Sequence, residues 1–211
     1  VGQAILGTAA CADPTLTRLE TELDAAYERA RERVAGEPAL VEALRGEQAM
    51  FAEGRAAVAA LPGASLADYL ASWRSWLDAI GPPRPGWDGI WLTGAGSLEI
   101  APRGDGVYRI VAHADEPTRG AYTCAFIGIG RLRGDAIEVE WDAADGGDGA
   151  DGWTLTIRRA EDLMHVEQHR GGSEAVTPPF CGHHGSLDGH YLPALVKPGS
   201  VTAWGPARAT P

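Results

Sequence analysis

One hexapeptide divides the chain. Gly81-Pro82-Pro83-Arg84-Pro85-Gly86 places three prolines between two glycines, and no helix or central strand survives it. Before it, apolar residues recur at three- and four-residue steps. After it, they alternate in short runs broken by Gly and Asp. A chain built this way folds as a helical part joined by a stiff linker to a β part. The expected domains are helical 1–80, a β-barrel 87–195 and an irregular tail 196–211.

The first helix is read over 13–35. Asp13 caps it, and Pro14 sits at the first helical position, where a missing N–H costs nothing. Leu16, Leu19, Leu23, Ala26, Tyr27, Ala30 and Val34 form one apolar stripe, and Gly36 stops it. The second helix covers 38–60 with the stripe Val41, Leu44, Gln48, Phe51, Arg55 and Val58. A very short link makes these two an antiparallel hairpin. The third runs over about 66–80, with Ser65 and Asp68 as a capping box and Leu66, Tyr69, Leu70, Trp73, Leu77 and Ile80 buried. Trp76, three residues from Trp73, shares that face only if it is wide.

Eight short strands follow: Ile90–Thr93, Ser97–Ala101, Val107–Ala112, Ala121–Ile127, Ala136–Trp141, Trp153–Arg158, Leu163–Gln168 and Ser186–Leu192. Arg103-Gly104-Asp105-Gly106 and Arg133-Gly134-Asp135 read as hairpin turns. The fold class is α+β: a helical hairpin with a third helix, then an antiparallel barrel of about eight strands. Trp87, Trp91, Trp141 and Trp153 flank strands, as core, inter-domain packing or the lining of a barrel mouth.

The 211 residues carry 18 basic and 29 acidic groups, a net charge of -11, with the excess spread over both parts. That balance argues against nucleic acid and anionic membrane surfaces, and it favours a cationic partner at low salt. No run approaches a membrane span. The first ten residues show no signal peptide, and the expected location is periplasmic or secreted with the leader removed. Cys124 and Cys181, both beside aromatics in the β part, are expected to form a disulfide, which favours an oxidising compartment. Cys11 is left over.

The helical segment resembles the LprI-like lysozyme-inhibitor domain of bacterial envelope proteins. The resemblance rests on Cys11-Ala12-Asp13-Pro14-Thr15-Leu16, on Leu19, Leu23 and Tyr27, and on Leu44-Arg45, Gln48, Phe51 and Arg55, over roughly residues 4–60. Two positions depart: Phe51 stands where the family carries Trp, and Ala56-Ala57-Val58-Ala59 lacks the Cys that pairs with Cys11 in the family. Cys11, Asp13, Pro14, Tyr27, Gln48, Phe51 and Arg55 are then packing or binding residues. The β part, through Gly89-Ile90-Trp91, Tyr122-Thr123-Cys124 and Cys181 with Gly189-His190-Tyr191, is similar in architecture to membrane-bound C-type lysozyme inhibitors. Their inhibitory loop is not legible here. The resemblance implies a non-enzymatic envelope protein that binds another protein, with a cationic lysozyme as the named partner.

Other chemistry is weaker. Cys181-Gly182-His183-His184-Gly185-Ser186-Leu187-Asp188-Gly189-His190 offers His183, His184 and His190 as zinc or copper ligands, against a plain polar turn. Asp142, Asp145, Asp148 and Asp151, interleaved with glycines, offer a calcium loop without the order of an EF-hand, against a solvated hairpin loop. His165 and His169 flank Glu167 on one strand face. Asp115-Glu116 and Glu161-Asp162 lie in or beside turns. No Gly-x-Ser-x-Gly elbow is present, and Gly94-Ala95-Gly96 precedes no helix that holds a phosphate. No catalytic residue and no cofactor is expected. Besides the protein binder, two readings stand: a small-ligand or glycan binder at a Trp-lined barrel mouth, and a metal binder through the His-rich turn.

Overall fold

A computed structural model describes residues 13–118, 120–140, 153–171, 177–182 and 184–195. The expectations at Cys11, at His183, and at Asp142, Asp145, Asp148 and Asp151 lie outside these residues, as do Trp141 and the tail.

Three helices open the fold: α1 (Pro14–Val34), α2 (Pro38–Ala60) and α3 (Leu66–Ala79). Each starts where the local chemistry allows. The Asp13 carboxylate accepts the Thr15 N–H at 2.8 Å, and Pro14 follows with no N–H to satisfy. At α3, Ser65 Oγ accepts the Asp68 N–H at 3.1 Å. α1 buries Leu19, Leu23, Ala26, Ala30 and Val34, as its periodicity predicts. Its more extensive partner is α3 rather than α2.

α2 departs from its predicted stripe. The buried positions are Leu40, Leu44, Glu47, Gly54 and Val58, while Gln48 and Arg55 are half-buried at the flank. The contact face is thus rotated by about one residue, roughly 100° for a single position. Trp73 and Trp76 are both buried and meet edge to face, 5.1 Å between ring centroids. α3 touches both α1 and α2, so its apolar face is wide enough for both rings.

Eight strands follow: β1 (Gly89–Thr93), β2 (Gly96–Gly104), β3 (Val107–Asp115), β4 (Thr123–Arg133), β5 (Ala136–Glu140), β6 (Trp153–Ala160), β7 (Leu163–Arg170) and β8 (Gly189–Pro193). They pair antiparallel in sequence order, and β1 closes on β8 through Trp91↔Pro193 and Leu92↔Leu192. Among the described residues every strand has a neighbour on both sides. Two tight turns match their sequence signals. Asp105 (φ 50°) and Gly106 (φ 71°) join β2 to β3, and Gly134 (φ 62°) opens the β4–β5 turn.

The lumen is a packed core. Trp91, Leu98, Ile100, Ile110, Phe126, Val139, Leu155, Ile157 and Tyr191 fill it, with Trp87 and Tyr108 half-buried against them. The wall of β1, β7 and β8 is also buried on its outer side. Ile90, Leu92, Leu163, Leu192 and Ala194 belong to the same apolar cluster as the helices. This explains the continuous run Ile90-Trp91-Leu92: Trp91 faces the lumen, and its two neighbours face the helices.

The proline-rich segment is fastened to the barrel. Gly81 N–H donates to Pro193 O at 2.7 Å, and Arg159 donates to the carbonyls of Arg84 and Gly86, each at 2.7 Å. Cys124 and Cys181 form a disulfide with Cα atoms 4.0 Å apart, tying the segment before β8 to the start of β4. Phe180 seals that end against Phe126, 5.1 Å ring to ring. No described helix is long and apolar enough to cross a membrane.

Candidate functional site

A cleft of about 570 Å³ opens where α2 crosses the barrel wall. That volume lies within the range of small-molecule sites, about 300–1,000 Å³. α2 contributes Ala39, Ala43, Gly46 and Met50, and β7 contributes Leu163. These walls are apolar. The polar lining is Glu47 and Thr93, with Glu42 and His190 beside them.

Glu47 is the unusual member. It is 8% exposed, a charged residue type in an apolar junction. One carboxylate oxygen accepts the Thr93 hydroxyl at 2.7 Å, and the other accepts the Gly94 N–H at 2.9 Å. Thr93 and Gly94 are where β1 ends and its turn begins, so the barrel holds a carboxylate carried by a helix. Gly94 must be glycine for this approach. A Cβ there would lie 2.4 Å from the Trp73 ring and 2.6 Å from Glu47 Oε2. Burial pushes the Glu47 carboxyl above its ordinary 4.5, against the two hydrogen bonds that favour the charged form. Among the described residues, no guanidinium lies in ion-pair reach of Glu47. Glu42, by contrast, pairs with Arg45 one turn along the helix.

His190 lies on β8 opposite His165 of β7, with rings stacked at 4.5 Å. Burial, then the neighbouring His165, hold the His190 imidazole below its ordinary 6.5. Glu167 lies 4.0 Å from His165 Nδ1 and 4.0 Å from His169 Nε2. His184 lies in the loop that precedes β8, with φ 62°. No group of three potential ligands set to hold a metal occurs among the described residues.

The described motif residues of the helical segment take capping, packing and ion-pair positions within the helices. Asp13 and Pro14 start α1. Tyr27 packs half-buried on the core. Phe51 lies 5.7 Å from the Tyr69 ring and 5.3 Å from the Trp73 ring. Arg55 forms an ion pair with Glu20 across α1 and α2. The paired carboxylates serve turns. Glu116 accepts the Thr118 N–H at 3.0 Å, and Asp162 pairs with Arg159 at 3.1 Å.

Glu47 was absent from the residues singled out by sequence. Its signal is the spacing Leu40, Leu44, Glu47, Phe51, Gly54, Val58, a strict alternation of four and three. A carboxylate at a core position of that register marks the site. The chain matches no family model, no curated protein and no solved structure.

Proposed function

We propose that the protein is a non-catalytic binding protein of the bacterial envelope, periplasmic or secreted, whose partner is a cationic protein. A lysozyme is the first partner to test. The observation that carries this reading is the cleft at the α2–barrel junction, where apolar walls surround a buried carboxylate that, among the described residues, has no guanidinium or ammonium in ion-pair reach. Such a site rewards a positively charged, partly apolar partner group. The net charge of -11 adds long-range attraction, and the Cys124–Cys181 disulfide suits an oxidising compartment. The LprI-like resemblance of the helical segment belongs to the same proposal.

The small-ligand reading moves from the barrel mouth to this cleft, because side chains fill the lumen. Lysis of a peptidoglycan suspension by C-type lysozyme, with and without micromolar protein, tests the leading reading. Dose-dependent inhibition that weakens with salt is expected. Full lytic activity at large molar excess rejects lysozyme as the partner.

A further inference from the structure

We infer that the α2–barrel cleft is a lysine-side-chain receptor, in which Glu47 takes the ammonium of a partner's lysine while Met50, Leu163 and Ala43 cover its methylenes. This rests on the proposal that the partner is a cationic protein, and it names the group that partner inserts.

Three observations lead there. Glu47 is fixed before any ligand arrives, because Thr93 and Gly94 hold its two oxygens at 2.7 and 2.9 Å. A preorganised acceptor loses little freedom on binding. Second, its charge has no described counter-ion, while Glu42 at the same cleft is paired with Arg45. A buried charge without a partner is costly, and an incoming cation relieves that cost. Third, both oxygens already accept one hydrogen bond. Each oxygen keeps one free lone pair, which the rotatable donors of a compact ammonium can reach from several directions, whereas a planar guanidinium fork needs both at once and in its own plane. The geometry therefore favours lysine over arginine. A divalent metal is poorly served, since no three ligating groups converge among the described residues.

Gly46 provides the control. It lines the cleft, and a Cβ built on it meets nothing within 4 Å. Gly46→Leu therefore adds a bulky side chain at the cleft from a Cβ that meets no neighbour, and it replaces the poorest helix former but proline. Glu47→Gln removes the charge while keeping an acceptor for Gly94 and a donor for Thr93.

The test is an NMR titration of the full chain with Nα-acetyl-lysine methylamide, its norleucine isostere and its arginine counterpart. The lysine probe is expected to shift the Met50 methyl and the Thr93 and Gly94 amides. Norleucine is expected to bind about tenfold or more weakly, as is lysine to Glu47→Gln. Gly46→Leu is expected to abolish the shifts. Equal binding of norleucine, arginine binding tighter than lysine, unchanged lysine binding in Gly46→Leu, or no shifts at saturating probe would each overturn the inference. Lysozyme inhibition by Gly46→Leu separates the two ideas. Retained inhibition with lost probe binding rejects the cleft and keeps the partner. Retained probe binding by the parent without lysozyme inhibition rejects the partner and keeps the cleft.

Discussion

The buried carboxyl of Glu47 sets a pH dependence on the fold. Burial raises its folded-state pKa above the ordinary 4.5. Its contribution to stability is then complete below the unfolded pKa and is lost as pH rises through the folded value. Glu47→Gln removes that loss. The variant is expected to match the parent's melting temperature near about pH 4 and to exceed it near about pH 8. Melts across that range check this; a difference independent of pH would show that the carboxylate is not desolvated. A second residue-scale prediction contrasts two glycines of one helix. A Cβ on Gly54 would lie 2.2 Å from Tyr69 Oη and 3.0 Å from its Cζ. The Tyr69 ring cannot swing away freely, because its hydroxyl donates to Phe51 O at 3.0 Å. Gly54→Ala is expected to cost about 1–3 kcal/mol through overpacking. Gly46→Ala, with open space around it, is expected to stabilise by up to about 1 kcal/mol. Urea titrations of both variants measure the two signs.

At the scale of elements, α1 depends on its start. Asp13 supplies the one described side-chain cap at its N-terminus, so Asp13→Ala is expected to cost about 1 kcal/mol, read as a lower urea midpoint with unchanged m. The helices were legible because capping and periodicity are local. The phase of α2 was not. Val41, Gln48 and Arg55 form a stripe as plausible on paper as Leu40, Glu47 and Gly54, and only the position of α3 and the barrel chooses between them. The strands show the same limit. Each of the eight expected runs overlaps a strand, but β4 continues to Arg133, past the expected end at Ile127. Alternation fails there because Gly128 and Gly130 face inward while Ile127 and Ile129, 45% and 48% exposed, face out. A Cβ on Gly130 would lie 2.4 Å from the Ile137 side chain, so the packed lumen demands glycine where a pattern reader expects an apolar residue.

For the whole molecule, the apolar cluster shared by α1, α2, α3, β1, β7 and β8 couples helices to barrel. Unfolding is therefore expected as one transition. Trp fluorescence and far-UV circular dichroism in urea should share a midpoint; two midpoints would show that the helices melt separately. The disulfide closes a loop with sequence separation 57, and its removal as Cys124→Ser with Cys181→Ser is expected to cost about 4 kcal/mol on the loop-entropy argument. Calorimetry of the oxidised parent and the double variant measures that loss. The sequence by itself determined the element list, the break at 81–86 and the turns, because those depend on backbone constraint and nearest neighbours along the chain; the cysteine pair was legible only because two of the three cysteines fall in the β part. Tertiary structure alone decided that the lumen is filled, that α2 turns Glu47 inward, and that the end of β1 meets it there. Glu47 and Thr93 are 46 residues apart, and no local rule specifies a hydrogen bond across that separation. The cleft exists only because two apolar surfaces, each formed for local reasons, have to cover one another.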